Sequence, residues 1–484
     1  MNSNSNLKHQ VVHSLKWVAI GKIATQLIKW LMTFWVIRLL APEDYGVVVM
    51  ADVIFGFLTL LIGALFAPSI IQAKELSKKM LQQIFGMILI VHSAVFILQM
   101  LFADSIGAFY QSENVASILK VNAWCFLILA FQVIPSAILA RNMDFKKVSV
   151  ISAISNITAA VTTFVLALLG YGFWSIIVGE IVAISLSTVM ILFVQPINFM
   201  PEFKMSEVKQ YLRFGTLLTL HSILFYIFLS MDVAIAGRML SATEVGFFAI
   251  GLQFALMPQK KILPLLKQVA FPAFSKIQHQ PERIVSYIIK AQKLSFLITI
   301  PIFWGLASVV DLVIPIVIGD KWSEAIIPTM LILFVMPLRF SEELFNPALK
   351  SQKKAKHLLG NVSVLLIILT IAILFFVDLG AVGLALAWLT GFPIAYVIVV
   401  IRNSRTFNID FMSFLQLLIK PVLSGVFMLT VVFAVKQWSN SVELLTLFIQ
   451  IIIGATVFGL STWLIDKNTL MEVRGLMNKK ATNE

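Results

Sequence analysis

The sequence predicts an all-α integral membrane protein with 14 transmembrane helices, arranged as two parallel six-helix lobes followed by two C-terminal helices. Three observations support this fold class. Hydrophobic residues make up 59% of the 484 residues and charged residues 13%, against roughly 25% charged residues in soluble proteins. Apolar runs of about 20 residues follow one another along the chain. A short polar turn recurs in the same register in the second half of the chain.

Each of the fourteen apolar stretches is long enough to cross a bilayer. Backbone polar groups in hydrocarbon must be satisfied within their own segment, so these stretches are predicted to be helices. The candidate spans are 15–38, 44–71, 82–103, 115–140, 148–169, 173–195, 211–237, 245–272, 288–310, 325–349, 358–377, 381–401, 413–435 and 443–465. The first apolar run exceeds the length of a signal peptide and is not followed by a small-residue cleavage site, which favours an uncleaved first span.

Positive charges are distributed unevenly among the connections between the spans. The even-numbered connections and the two termini hold 22 Lys and Arg residues. The odd-numbered connections hold 4, which are Arg38, Arg238, Lys321 and Lys436. The positive-inside rule therefore predicts that both termini lie in the cytoplasm. This distribution also accounts for the net charge of +13 without a nucleic-acid partner.

The chain contains an internal repeat. Arg38–Gly46 reads RLLAPEDYG and Arg238–Gly246 reads RMLSATEVG, and each is the turn between the first two spans of a half. At an offset of 210 residues, the basic turn at 139–147 corresponds to 349–357. At the same offset, one Leu-Gly pair ends at Gly170 and its counterpart ends at Gly380. Spans 1–6 and 7–12 are therefore predicted to be two copies of one unit.

The repeat sets the predicted domain boundaries. Residues 1–200 form an N-lobe with helices 1–6, and residues 201–405 form a C-lobe with helices 7–12. Residues 406–484 hold helices 13 and 14 and a cytoplasmic tail. Because six is an even number, the two lobes share one orientation, and such parallel repeats predict a substrate path between the lobes with alternating access.

Two helical stripes of polar residues are the candidate substrate site. They consist of Lys22, Gln26 and Lys29 on span 1, and of Gln253, Lys260 and Lys267 on span 8. Lys29 and Lys260 are placed near mid-membrane, where an unpaired charge is costly. A cationic, water-filled cavity for an anionic headgroup such as a diphosphate explains them, because lysine is a common partner of phosphate. The alternative for Lys22 and Lys267 is that their ammonium groups snorkel to the cytoplasmic interface.

Acidic residues within the spans suggest a coupling site. Asp52 and Glu180 have no basic residue within four positions along the sequence, and they are candidates for sensing a proton or Na⁺ gradient. Arg339 and Glu343 are four residues apart on span 10, and this spacing favours a structural ion pair.

Several stretches resemble the polysaccharide transporter family of the multidrug/oligosaccharidyl-lipid/polysaccharide exporter superfamily. They are RLLAPEDYGVVVMADVIFGF followed by SIIQ, ILARNMDFKKVS, and LGYGFWSIIVGEI. The resemblance implies a flippase of the bacterial inner membrane that moves a polyprenyl-diphosphate-linked oligosaccharide to the outer leaflet for O-antigen, capsule or exopolysaccharide synthesis. A polysaccharide polymerase and a chain-length regulator are implied partners. In the superfamily's peptidoglycan-precursor flippase, basic residues of helices 1 and 8 bind the diphosphate, which implies this role for Lys22, Lys29 and Lys260.

Two rival functions are weighed against this interpretation. A multidrug antiporter of the same superfamily is expected to line its cavity with acids and aromatic residues, whereas these stripes are basic. A membrane polymerase or ligase is expected to carry a large external loop, and the outer connections here are short. The sequence contains no G-x-x-x-x-G-K-[ST] or H-E-x-x-H motif, and Cys125 is its only cysteine. We therefore expect a protein that is not an enzyme and that uses no cofactor and no metal.

Overall fold

The computed structural model describes residues 31–72, 76–204, 216–438 and 443–467. These residues are helical almost throughout, and no strand occurs among them. The all-α prediction is therefore confirmed for this part of the chain.

The chain divides into two units, Met1–Phe214 and Gly215–Glu484. The helices of the first unit are α1 (31–39), α2 (Pro42–Gln72), α3 (Lys78–Phe109), α4 (Glu113–Arg141), α5 (Phe145–Leu168) and α6 (Trp174–Val194). Those of the second are α7 (Thr216–Met239), α8 (Ala242–Lys276), α9 (Pro281–Ile318), α10 (Ile326–Glu343), α11 (Phe345–Ser351), α12 (Ala355–Phe376), α13 (Gly380–Phe407), α14 (Phe411–Trp438) and α15 (Glu443–Ile465). Short 3-10 helices occupy Asp320–Ala325 and Val377–Leu379.

The described residues contain 11 stretches that are long and apolar enough to cross a membrane. The protein is therefore a multi-pass membrane protein. One of these stretches, Ala355–Phe407, contains both α12 and α13. Most of the first candidate span lies outside the described residues, so the count of fourteen helices and the arrangement of the lobes stay predictions.

Several helices differ in extent from the candidate spans. The helix α9 is 38 residues long and extends beyond span 288–310 at both ends. Candidate span 325–349 is broken at Leu344, where α10 gives way to the short helix α11. Hydropathy locates an apolar run, but it does not locate the residues at which a helix begins, breaks or ends.

Each unit has its own packed interior. In the first, α4 is the central helix and packs against α2, α3 and α6. Its buried Phe126 contacts Phe55 of α2, with ring centroids 5.1 Å apart. In the second, α10 packs against α8, α9 and α13. Trp388 of α13 is 1% exposed and stacks on Phe392, so large aromatic side chains fill this core.

The recurring acidic residue of the repeated turn makes a corresponding hydrogen bond in each unit. In the first unit, the backbone N–H of Phe173 donates to Oδ1 of Asp44 at 3.0 Å. In the second, the backbone N–H of Ala381 donates to Oε2 of Glu244 at 2.6 Å. Each carboxylate thereby ties the start of one helix to a distant turn. The turn residue before each donor is a glycine in the left-handed region.

These two glycines, Gly172 with φ +53° and Gly380 with φ +67°, are needed for the close approach of the carboxylates. A Cβ atom on Gly172 would lie 2.8 Å from Oδ1 of Asp44. A Cβ atom on Gly380 would lie 2.6 Å from Oε2 of Glu244. Any other residue would therefore be strained in its backbone and would collide with the acceptor.

Ion pairs satisfy some of the charged residues near the helix ends. Lys120 of α4 pairs with Asp104 of α3 at 2.6 Å. Lys420 of α14 pairs with Asp466, which follows α15, at 3.2 Å. Lys436 of α14 pairs with Asp311 of α9. Lys120 and Lys420 fall within candidate spans. Their ion pairs with Asp104 and Asp466 partly offset the cost of a charged side chain there.

Candidate functional site

A cavity of about 400 Å³ lies in the second unit among helices α7, α8 and α10. Its walls are mostly apolar, and a few polar and charged side chains converge on it. The lining residues are Phe225, Leu229, Leu252, Leu256, Gln259, Lys260, Leu263, Pro264, Arg339 and Glu343. A size in this range and a mostly apolar lining with few polar groups are typical of small-molecule sites.

The helix α8 supplies the largest part of this lining because several of its residues recur at helical spacing on one face. Leu252, Leu256, Gln259 and Leu263 follow one another at intervals of three or four residues and therefore share a face. The N-terminus of α8 is fixed by Ser241, whose side chain accepts a hydrogen bond from the N–H of Glu244 at 3.3 Å.

Lys260 is exposed and lies on α8 between two prolines. Pro258 and Pro264 are both inside the helix. A proline has no backbone N–H and removes a hydrogen bond from the helical ladder, so the helix is weakened on both sides of Lys260. The Lys260 ammonium interacts unfavourably with the guanidinium of Arg339, which is the other cation of the cavity.

Arg339 enters the cavity from α10 and is 6% exposed. Its guanidinium carbon lies 4.7 Å from the centroid of the Trp388 ring, which places the cation over the face of the indole. The guanidinium also interacts favourably with the carboxylates of Glu343, Asp232 and Glu342. The side chain is therefore held by an aromatic face and by acidic neighbours.

Asp232 of α7 is fully buried and is one of the acidic neighbours of Arg339. Its Oδ1 accepts a hydrogen bond from the backbone N–H of Val233 at 2.8 Å. Its Oδ2 accepts one from Nε1 of Trp388 at 3.3 Å. Trp388 thus contacts Arg339 through its ring face and Asp232 through its N–H. Trp388 therefore fixes the buried carboxylate of Asp232 and the buried guanidinium of Arg339 relative to each other.

The charges that line the cavity are two cations and one carboxylate. Lys260 and Arg339 are the cations, and Glu343 is the acid. Glu343 also accepts a hydrogen bond from Nδ2 of Asn346 at 3.1 Å, so part of its capacity to neutralise the cations is used within the protein. Two neighbouring cations that repel each other favour the binding of an anion.

The six residues predicted to bind substrate differ in where the structure places them. Lys22, Gln26 and Lys29 lie outside the described residues, and so does the side chain of Lys267. Lys260 lines the cavity together with Pro264. Gln253 is described, but it is not among the lining residues.

Gln259 and Arg339 also line the cavity, and the sequence did not single them out for this role. Gln259 is 5% exposed, and its Oε1 has no hydrogen-bond partner among the described residues. Its position one residue before Lys260, on a helix that was already a candidate, was an available signal. The spacing of Arg339 and Glu343 predicts a structural ion pair, and the sequence holds no signal of the contact between Arg339 and the cavity.

The two acids proposed for ion coupling come together in the first unit. Asp52 lies on α2 and Glu180 on α6, and their carboxyl groups are near enough to interact unfavourably. The sequence separates them by more than 120 positions, so their proximity follows from the packing of the helices. The described residues contain no group of His, Cys, Asp and Glu side chains of the kind that holds a metal ion.

The sequence of this chain is similar to those of known proteins. Residues 35–327 match the model of a family described as polysaccharide biosynthesis proteins. An uncharacterised membrane protein in the cps region of Klebsiella pneumoniae is 24% identical over 98% of this chain and 99% of its own length. The lipopolysaccharide biosynthesis protein WzxC of Escherichia coli is 27% identical over 69% of this chain and 68% of its own. The succinoglycan biosynthesis transport protein ExoT of Rhizobium meliloti is 23% identical over 65% of this chain and 64% of its own.

Solved structures share the fold. The lipid II flippase MurJ in an inward closed conformation superposes with a TM-score of 0.75 and 15% identity, over 93% of this chain and 99% of that one. A multidrug resistance MATE family transporter gives a TM-score of 0.61 and 15% identity, over 79% of this chain and 94% of that one. At this identity the likeness shows the fold alone. Because the family model covers more than half of the sequence, the chain belongs to the family of polysaccharide biosynthesis proteins.

Proposed function

We propose that the protein is a flippase that moves a polyprenyl-diphosphate-linked oligosaccharide from the inner to the outer leaflet of the bacterial inner membrane by alternating access. The observation that carries this proposal is the cationic cavity of the second unit in a member of a polysaccharide biosynthesis family. The name of ExoT as a transport protein and the name of MurJ as a flippase support it. The protein is then a transporter and not an enzyme.

The substrate assignment follows from the chemistry of the cavity. A lipid-linked oligosaccharide has an apolar tail, a neutral or charged sugar portion and a diphosphate between them. Lys260 is proposed to bind the diphosphate, because an ammonium group is a suitable point charge for phosphate oxygens. Lys22, Gln26, Lys29, Gln253 and Lys267 remain in the proposal as the polar stripes that the sequence predicts.

The cellular setting is part of the same proposal. The apolar runs predict fourteen spans, and the uneven distribution of Lys and Arg predicts that both termini lie in the cytoplasm. Flipped units would next be joined by a polysaccharide polymerase under a chain-length regulator, because single repeat units must be polymerised after they reach the outer leaflet.

Reversing the charge of Lys260 tests this function. We expect Lys260→Glu to abolish complementation of a polysaccharide-export mutant, since a carboxylate would repel the diphosphate, and Lys260→Ala to be less severe. Lys261→Glu is the matched control, because Lys261 is the next residue on α8 and is not among the cavity-lining residues. Normal export by a Lys260→Glu protein that reaches the membrane in normal amounts would contradict the assignment. The same change at Lys29 tests the predicted stripe on the first span.

An ion gradient is proposed to drive the transport cycle through Asp52 and Glu180. Two carboxyl groups that repel each other at membrane depth are compatible when a proton is bound or a cation lies between them. Binding or release of that ion would change the charge of the first unit by one. A multidrug antiporter remains the alternative function, and these two acids are the observation that favours it.

Neutral variants separate these possibilities. Asp52→Asn and Glu180→Gln are expected to leave binding of a polyprenyl diphosphate unchanged and to remove the dependence of its transport on a proton or Na⁺ gradient in proteoliposomes. Gradient-dependent transport that persists in both variants would exclude the pair from coupling. Efflux of organic cations by the unmodified protein, without any transport of the lipid-linked sugar, would support the antiporter instead.

A further inference from the structure

Arg339 carries a polar atom that the described residues leave unsatisfied. The side chain is 6% exposed, and its Nη1 is buried with no hydrogen-bond partner among the described residues. A buried N–H group without a partner is costly, and the cost is greater when the group is charged. Such an atom beside a cavity is satisfied when an acceptor enters that cavity.

The neighbouring acids have other hydrogen-bond donors. Asp232 accepts hydrogen bonds from the backbone of Val233 and from Trp388. Glu343 accepts one from Asn346. The carboxylates of Asp232 and Glu343 therefore stabilise the charge of the Arg339 guanidinium electrostatically. Some of their oxygen atoms already accept hydrogen bonds from other groups. The arrangement makes a buried cation tolerable and leaves Nη1 without a hydrogen-bond acceptor among the described residues.

We propose that Arg339 is a second anion ligand of the cavity and acts with Lys260 on one phosphate-bearing headgroup. Nη1 of Arg339 would donate to a phosphate oxygen, and the ammonium of Lys260 would contribute its charge to the same group. The assignment rests on the proposed function, which it deepens by naming the headgroup diphosphate as the part of the substrate that this cavity recognises.

The two cations suit different tasks. Arginine presents planar, directional N–H groups that match a phosphate, whereas lysine is a mobile point charge on a flexible stem. Arg339 is held in place over the Trp388 ring and is therefore preorganised. Lys260 is exposed on the proline-flanked part of α8. A headgroup would meet Lys260 first and become oriented on Arg339.

Binding of undecaprenyl diphosphate to the purified full-length protein in detergent tests the assignment. Undecaprenol serves as the probe that has the same tail without the charge. We expect the unmodified protein to prefer the diphosphate, and Arg339→Gln to weaken diphosphate binding by about tenfold or more, as loss of a hydrogen bond between charged groups predicts. Binding of undecaprenol should not change. Lys261→Gln is the control and should bind as the unmodified protein does.

A second variant covers the case in which Arg339→Gln fails to fold because Asp232 loses its nearby cation. The double variant Asp232→Asn/Arg339→Gln removes the guanidinium together with Asp232, the fully buried carboxylate beside it, and removing both partners of a buried pair costs less than removing one. It should unfold at a temperature near that of the unmodified protein and still lose the preference for the diphosphate. Arg339→Lys should recover part of that preference, because it restores the charge.

The outcomes separate this inference from the proposed function. If the folded double variant binds the diphosphate as tightly as the unmodified protein, Arg339 is a structural residue and the inference is wrong. Equal affinity of the unmodified protein for the two probes would also overturn it. Complementation of an export mutant is measured in parallel and reports on the function. Export by the unmodified protein leaves the function in place whatever the binding result, and failure to export removes it.

Discussion

Asp44 and Glu244 accept the same kind of hydrogen bond, from the backbone of a distant turn to a carboxylate, in the two units. The Asp44 carboxylate accepts from the N–H of Ala41 at 3.0 Å as well as from Phe173, so it caps its own helix and binds a distant turn. The repeated motif had no explanation in the sequence beyond its position. The hydrogen bond to a glycine-containing turn supplies the physical reason for an acid at this position in both halves.

Removing either carboxylate should destabilise the protein. Asp44→Ala leaves the backbone N–H groups of Ala41 and Phe173 without their acceptor. Glu244→Ala leaves that of Ala381 without its acceptor. The expected cost is roughly 1–3 kcal/mol for each variant. Thermal unfolding in detergent, followed by loss of soluble protein, measures the effect. Glu43→Ala is the control, because Glu43 is an exposed acid in the same helical turn and shares the favourable interaction with the helix dipole. Equal effects of Asp44→Ala and Glu43→Ala would show that the long-range hydrogen bond contributes nothing.

At the same scale, the sequence predicted Lys260 but not the role proposed for Arg339. A lysine at mid-membrane on a helical stripe is conspicuous because of its cost. Arg339 has an acid four residues later, so the sequence predicts a local ion pair between Arg339 and Glu343. The structure adds Asp232 and Trp388, which come from two other helices, and their contacts depend on packing that a linear pattern does not encode. The proximity of Asp52 to Glu180 was unpredictable for the same reason.

At the scale of helices, the existence of the elements was predictable and their ends were not. Apolar runs predict helices because a segment that crosses hydrocarbon must satisfy its own backbone hydrogen bonds. The extension of α9 and the break at Leu344 depend on contacts beyond those runs. Phe345, the first residue of α11, is fully buried against Phe414 of α14, with ring centroids 5.7 Å apart. Packing of this kind fixes a helix break that hydropathy does not detect.

The contact between α9 and α14 offers a test at this scale. Asp311 and Lys436 form an ion pair whose side chains are 30% and 36% exposed. Asp311→Asn or Lys436→Gln should lower stability by roughly 1 kcal/mol, as expected for a partly solvated pair. The double reversal Asp311→Lys/Lys436→Asp should recover most of the loss when the unfolding temperature is measured in detergent.

The matched control is the more exposed pair between Lys120 and Asp104, whose side chains are 42% and 73% exposed. Solvent screens this pair more strongly, so Asp104→Asn should have a smaller effect than Asp311→Asn. If the double reversal is less stable than both single variants, the pair between α9 and α14 does not act through charge.

At the scale of the whole molecule, composition and charge distribution carried most of the prediction. The all-α class and the multi-pass character follow from apolar runs and are confirmed for the described residues. The family follows from the sequence match over residues 35–327. The lobe boundaries at 200 and 405 remain predictions from the repeat.

The membrane topology is the prediction that tests the whole chain at once. Reporter fusions after Lys79, Lys147 and Lys356 should report the cytoplasm, because these positions follow the basic connections. Fusions at Glu113 and Asp320 should report the outer side. Glu113 begins α4, and Asp320 begins the 3-10 helix that precedes α10. A paired phosphatase and fluorescent-protein reporter distinguishes the two sides, since each is active on only one of them. An outer location for any of the three basic positions would break the alternation of spans on which the fourteen-helix topology and the parallel repeat both depend.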